Sequence, residues 1–246
     1  MDAPGGFGNP RVGLLHADDL VLDAHEAHAT ALSNHLDPKR AFEIADALVP
    51  SDLFGFVRNG RHGWRALRLA LSYLSDRATD TELLSPRGER VCFQRSEVEI
   101  RPFLGALPSN DAGDPTPQPL VYAYGEERVT RTCFAIGANH AVELAAVIGK
   151  AGDTIADDEA WEHIAGYMVV GDHDGIGSYL KSADEIHPAS DADIYCELAD
   201  AVSSVSRRHS LEAGDVVRTG LGQRHAIIDL TDTVLEALLN SAAPAQ

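Results

Sequence analysis

The spacing of apolar positions changes several times along the chain, and each change marks an element. Residues 11–15 (RVGLL) and 19–23 (DLVLD) are short apolar runs flanking His16-Ala17-Asp18, which predicts an opening hairpin. From about Ala24 to Leu74 the pattern turns helical. Asp37-Pro38 opens one helix with proline at a permitted first-turn position, and Phe42, Ile44, Ala45 and Leu48 recur at helical spacing. Trp64, Leu67, Leu71 and Leu74 mark a second amphipathic helix. Residues 75–90 are polar and turn-rich, and Val91-Cys92-Phe93 and Val98-Glu99-Ile100 read as strands.

The segment 107–119 (LPSNDAGDPTPQP) breaks the pattern. Its prolines, aspartates and glycine predict irregular backbone, suited to a lid or a boundary. Beyond it, strands are expected at 120–124, 128–136 and 142–149, a helix near 156–165, and a strand at 166–171 leading into Asp172. A helix over about 194–206 and two short strands, 216–219 and 225–229, follow. There is no internal repeat. The fold class is mixed α/β (α+β), divided into residues 1–100, a hairpin plus helices, and 101–246, which is richer in strands.

Composition then narrows the partners. The chain has 246 residues with 38 Asp+Glu against 20 Lys+Arg, a formal charge of −18. That acidity argues against nucleic acid, whose phosphates need clustered Lys and Arg, and against anionic membranes. The basic residues include only three lysines, Lys39, Lys150 and Lys181. Many arginines and a large carboxylate excess fit either the bias of a GC-rich genome or a halophilic cell. No run of about 18 apolar residues offers a membrane span. Met1 to Arg11 lacks a basic stretch followed by an apolar one, so no signal peptide is expected. Cys92, Cys133 and Cys196 are scattered without CxxC spacing, as expected of reduced, buried thiols in a cytoplasmic protein.

Two groups of residues could carry chemistry. His25, His28 and His35 fall on one face of the early helix, near Asp23 and Glu26. Histidines three apart can ligate a metal, but a solvated helix face is the simpler reading. The second group lies between 139 and 188. Val142-Glu143-Leu144-Ala145-Ala146-Val147-Ile148 is an apolar strand carrying one carboxylate, and Gly166-Tyr167-Met168-Val169-Val170-Gly171-Asp172 is another, ending in a carboxylate. A carboxylate in such a run is costly unless paired or metal-bound. Two strands delivering carboxylates to one place suit a hard cation, while an edge strand with Glu143 turned to solvent remains the alternative.

The same residues carry a family resemblance. "VELAAVIGKAGDTIADDEAWEHIAGYMVVGDHD" resembles the core of the fumarylacetoacetate hydrolase superfamily, in which E-x-E-L-A-x-V-I-G-K precedes an acidic helix and a G-Y-x-x-x-N-D segment. "KSADEIHP" (181–188) is similar to the family's K-S-F-D-T-F-x-P, and "SLEAGDVVRTG" (210–220) to its t-L-x-P-G-D-x-I-x-T-G. The resemblance covers roughly residues 101–230. It implies a distorted β-roll with a small mixed N-terminal domain, usually dimeric. It also implies Mg²⁺, Mn²⁺ or Ca²⁺ held by the two Glu of E-x-E and the later Asp. The family acts on small 2-oxo acids and 1,3-diketones through a metal-stabilised enolate, with a mobile H-x-x-E segment supplying the acid–base pair.

Position by position, Glu143 matches the second Glu of E-x-E and Asp172 the later metal Asp. Lys181 matches the lysine near the substrate oxygens, and Thr219 and Gly220 the start of T-G-T-P-x-G. The departures are Ala141 in place of the first Glu, and Asp111 and Asp114 in place of the lid His and Glu. Asn139 shares the strand face of 141 and 143, and Asp174 that of 172, so either could complete a metal shell. The implied function is a divergent metal-dependent hydrolase or lyase, with Lys181, Asp111 and Asp114 as catalytic candidates. The alternative is a catalytically impaired homologue serving as a binding or structural subunit. The implied partner is a small oxo acid, and the implied assembly a cytoplasmic homodimer.

Overall fold

The computed structural model describes residues 10–16, 20–74, 82–101, 121–123, 143–170, 179–186, 192–222 and 233–239. In chain order the elements are β1 (Arg11–His16), β2 (Leu20–Asp23), α1 (Ala24–Leu32), α2 (Pro38–Leu48), α3 (Leu53–Leu74), β3 (Cys92–Gln94) and β4 (Val98–Arg101). Then come β5 (Val121–Ala123), β6 (Glu143–Ile148), α4 (Ala160–His163), β7 (Ile164–Val170), β8 (Tyr179–Ser182), α5 (Ala192–Ser206), β9 (Val216–Gly222) and β10 (Thr233–Leu239). The class is mixed α/β, as the hydrophobic pattern predicts.

The described residues form two compact units. The first holds everything to Phe56, the residues from His62 to Arg101, and β10. Its strands run β3-β2-β1-β10-β4, each pair antiparallel. The expected hairpin is present: Gly13 faces Asp23 and His16 faces Leu20. Val12, Leu14, Val21 and Leu22 are buried. Asp23 ends β2 and caps α1 by accepting from the Glu26 amide at 3.0 Å, the Asx arrangement that satisfies an otherwise orphaned helix donor. Asp37 does the same for α2, with Pro38 in the first turn as expected. Phe42 and Ala45 of α2 bury against Ala29 of α1, and the Arg87 guanidinium lies 3.4 Å from the Phe42 ring centre. Phe56 and Trp64 meet edge to face at 5.2 Å. The helix α3 is broken at Gly60, whose φ of 48° and ψ of −131° leave the helical region, a conformation open to glycine.

The second unit comprises Val57–Arg61 of α3 and the described residues from Val121 to Gly222. Its strands run β8-β7-β6-β9-β5, antiparallel throughout except for the parallel β5–β9 pair. Strand β6 is buried from Leu144 to Ile148, which explains its unbroken apolar run: a central strand covered on both faces has no polar face to display. One cover is α5, whose Leu198, Val202 and Val205 join Leu144, Ala146, Ile148 and Val217 in a single core. Ser203 and Ser206 of α5 hold the preceding loop, Ser203 donating to the Ile155 carbonyl and Ser206 accepting from the Ile155 amide.

Three expectations are corrected. The helix near 156–165 is one turn, Ala160–His163, and the strand after it starts at Ile164 rather than 166. In the acidic run before that turn, Asp157 accepts from Ser203 of α5 and from Arg207 just beyond it. Cys196 is exposed rather than buried, while Cys92 is buried. The strands expected at 128–136 and 225–229, Cys133 and the 107–119 loop lie outside the described residues. Among those described, no helix is long and apolar enough to cross a membrane.

Candidate active site

The register of three strands brings Glu143 and the Thr219–Gly222 segment to one end of the second unit's sheet. Glu143, the first residue of β6, stands across from Val170 of β7 on one side and Gly222 of β9 on the other. Asp172 follows Val170 by two residues, and Asp172 and Asp174 themselves lie outside the described residues. The backbone therefore delivers the position of Glu143, the approach to Asp172 and the Thr219–Gly222 segment to one place. Asn139, Ala141, Asp111 and Asp114 also fall outside the described residues.

Strand β9 reaches that end with a bulge. Glu143 pairs with Gly222 and Ala145 with Arg218, so two steps on β6 face four on β9. Such an insertion bends a strand and re-aims its side chains, and bulges are common next to active sites. Thr219 sits inside the bulge, buried, and donates its hydroxyl proton to the Leu144 carbonyl at 3.1 Å. A hydroxyl has one proton to give. In this arrangement Thr219 fastens the bulge to β6 and can offer a ligand only an acceptor.

Lys181 lies on β8 across from Tyr167, with Ser182 across from Gly166. Tyr167 is three residues along β7 from Val170, about 10 Å in the strand direction. Close approach makes the β7–β8 pair: a Cβ on Gly166 would collide with the Lys181 carbonyl and with Leu180. Lys181 is 7 % exposed, and its Nζ lies 3.4 Å from Glu185 Oε2. Glu185 belongs to a single 3₁₀ turn, Ala183–Glu185, opened by the Ser182 hydroxyl accepting from the Asp184 amide. Arg61 braces the same turn, 3.3 Å from Asp184 with its Nε, while its guanidinium donates to the Trp161 carbonyl.

The early histidines occupy a different environment from the solvated face expected of them. His25 and His28 are each 5 % exposed, and only His35, beyond the end of α1, is at the surface. They belong to a buried ionic cluster in the first unit that sequence reasoning missed. Arg11 of β1 lies 2.9 Å from Asp23 and 3.2 Å from Glu26. His25 contacts Asp46 of α2 at 2.9 Å through Nε2 and Glu26 at 3.5 Å through Nδ1. Burial pushes the Asp23 carboxyl up to about 6 against the pull of Arg11 and the cap hydrogen bond. Burial also opposes the charge of Glu26, but His25, Ser85 and Arg11 together bring it down to about 2. His25 is raised because its contacts with Glu26 and Asp46 outweigh its burial. His28 falls to about 4 through burial and the neighbouring charge of His25. Among the described residues, no group of three or more His, Cys, Asp or Glu side chains is arranged to hold a metal ion. The metal alternative for these histidines is therefore not supported. The available signal was the pair of acidic residues, Asp23 and Glu26, beside an apolar helix face.

Known proteins resemble the chain at two levels. Maleylpyruvate hydrolase from Sphingobium sp. SYK-6, in complex with manganese(II) and pyruvate, is 17 % identical over 89 % of this chain and 88 % of that one, with a TM-score of 0.47. A second structure of the same protein gives 16 % identity and a TM-score of 0.44 over the same shares. A putative uncharacterized protein from Mycobacterium abscessus is 21 % identical over 57 % of this chain and 75 % of that one, with a TM-score of 0.26. No curated protein matches the chain. Residues 116–173 match the family described as fumarylacetoacetate (FAA) hydrolase C-terminal, a stretch that contains β5, β6, α4 and β7. The likeness to that family thus rests on a segment spanning about a quarter of the chain.

Proposed function

We propose that the chain is a divergent metal-dependent hydrolase or lyase acting on a small 2-oxo acid or 1,3-diketone. The observation that carries this reading is the register of β6 on β7 inside the family segment. It sets Glu143 across from Val170, two residues short of Asp172. Carboxylate oxygens suit a hard divalent cation, so Glu143 and Asp172 are the proposed ligands of Mg²⁺ or Mn²⁺, with Asp174 or Asn139 completing the shell. When bound, such an ion supplies Lewis-acid stabilisation of negative charge developing on the oxo-acid oxygens.

The chain's own residues do the rest. Lys181 binds and orients substrate oxygens with a positive charge held in a buried strand. Thr219 fixes the bulge that brings Gly220 to the site. Asp111 and Asp114 stand where the family pattern has its acid–base pair. An aspartate has a pKa of roughly 3.9 against roughly 6.5 for histidine, so it is the weaker base near neutral pH. Slow turnover is the expected result.

Ala141 favours a second reading, in which the fold is retained for binding and catalysis is lost. The two separate in one experiment. Calorimetry with MnCl₂ is expected to show saturable heat that Glu143→Ala abolishes. Turnover of acylpyruvates or oxaloacetate is then expected to vanish in Asp172→Asn. No metal-binding heat in the native protein sinks the enzyme reading. Metal binding without turnover selects the binding protein.

A further inference from the structure

From Leu53 to Leu74, α3 carries Arg58, Arg61, Arg65 and Arg68 and no Asp or Glu, in a chain with 38 acidic residues among 246. The chain's average would put about three carboxylates there. Beyond the break at Gly60 the helix has two distinct faces. Trp64, Leu67, Ala70 and Leu74 are buried, while His62, Arg65, Arg68, Leu69, Ser72 and Tyr73 are exposed. At 100° per residue the exposed set falls within a sector of about 140°. Leu69 is 63 % exposed and Tyr73 46 %, one helical turn apart, and Arg65 stands one turn before Leu69. Among the described residues, Leu84 is the other large hydrophobic so exposed. The Tyr73 ring has a neighbour in the His35 ring, edge-on at 6.0 Å.

A solvated helix face commonly interleaves both signs of charge, so that residues three or four apart answer one another. This face carries cations, Ser72 and two apolar side chains, so its complement carries carboxylates and an apolar group. Size decides among anionic partners. Screening confines the field of a surface charge to about 8 Å at physiological ionic strength. A DNA duplex or a vesicle extends far beyond that and meets the rest of a surface whose formal total is −18. A membrane would also want the apolar face of the helix, which the fold buries. A short polypeptide segment covers the outer face alone.

We propose that the outer face of α3, from His62 to Tyr73, is a docking surface for an acidic segment of another polypeptide that carries a bulky apolar side chain. Its carboxylates pair with Arg65 and extend along the basic stripe, and its apolar side chain packs against Leu69 and Tyr73. Arg65, Arg68, Leu69 and Ser72 stand at the i, i+3, i+4 and i+7 positions through which one helix presents a contact face. The surface lies wholly in the first unit and takes no residue from the site proposed above.

The probe is a fluorescein-labelled peptide of about 15 residues, long enough for a marginal helix, with Glu along one face and Leu along the other. Fluorescence anisotropy with the full chain is expected to show saturable binding that weakens as salt is added. Arg65→Glu and Leu69→Ser are each expected to weaken it about tenfold. Both are surface positions, and unchanged urea midpoints check that the fold is intact. Arg208→Glu makes the same change of charge just past the end of α5 and is expected to shift affinity less than about threefold. No saturable binding overturns the proposal. So does a loss equally large in Arg208→Glu, or equal binding by a peptide with Ser in place of Leu, since either reduces the contact to net charge. Phosphatidylserine vesicles or duplex DNA that bind where the peptide does not, and are released by Arg65→Glu, overturn it in favour of a lipid or nucleic-acid face. Sedimentation showing the native chain dimeric and Arg65→Glu monomeric overturns it in favour of a second copy of this chain.

Discussion

The two units bury charge in opposite ways. In the first, Arg11, Asp23, His25 and Glu26 neutralise one another across β1, the end of β2 and α1, with Asp46 joining from α2. In the second, β6 is apolar from Leu144 to Ile148, and Lys181 brings a charge into β8 that pairs with Glu185 of a half-exposed turn. A network whose charged members answer one another ties elements together. A buried charge paired with a half-exposed carboxylate keeps one side of the pair at the surface. Burial of charge alone therefore does not mark a site; what matters is whether the counter-charge is as buried as the charge.

The sharpest way to break this contrast is Gly166→Ala. Its Cβ would collide with backbone, the Lys181 carbonyl, so β8 must shift as a strand rather than a side chain. Overpacking against backbone costs roughly 3 kcal/mol. The denaturant midpoint is expected to fall accordingly, with the Lys181 side-chain NMR resonance displaced. A loss below about 1 kcal/mol with that resonance unmoved would show that the β7–β8 approach does not position Lys181.

Next in size is Glu26→Gln in the first unit. It removes a carboxylate that answers both Arg11 and His25 and leaves their charges under-compensated in the interior. Breaking a buried pair costs 3–5 kcal/mol when both ions are buried. Arg11 is 28 % exposed, so roughly 2 kcal/mol is expected here. The same variant is expected to leave the calorimetric Mn²⁺ titration unchanged, which is what a purely structural cluster requires.

Much of this was legible in the sequence, for identifiable reasons. The hairpin, the Asp37-Pro38 helix start and α5 follow from local spacing and capping chemistry, which act within a few residues. β10 was not foreseen, because Thr233-Val-Leu-Glu-Ala-Leu-Leu is rich in helix formers and becomes a strand through pairing with β1 and β4. The carboxylate position at 143 could be read because an acidic residue beside a buried apolar run is conspicuous. Neither the Thr219 bulge nor the Lys181–Glu185 pair could be read. The first depends on register between β6 and β9, 75 residues apart at the Thr219–Leu144 hydrogen bond, and the second on where a turn points. His25 and His28 were misassigned to solvent because helical periodicity identifies a shared face without saying what covers it.

The smallest effect tests whether the cluster is balanced. His28 falls from 6.5 to about 4 on folding, so between those values the unfolded chain binds more protons there and acidification destabilises the fold. Asp23 rises from 3.8 to about 6, so over nearly the same range the folded chain binds more protons there and acidification stabilises it. The two slopes oppose one another, each at most about 1.4 kcal/mol per pH unit. Glu26 adds its loss only below 4.5, toward 2, and the raised His25 adds its own only above 6.5. Stability between pH 4.5 and 6 is therefore expected to be nearly flat. Asp23→Asn keeps a competent helix cap and leaves the His28 slope uncovered, so stability should then fall on acidification. His28→Gln should do the opposite and make the protein more stable toward pH 4.5. Urea unfolding at half-unit pH steps reads both, and parallel curves for the two variants would show that Asp23 and His28 do not offset each other.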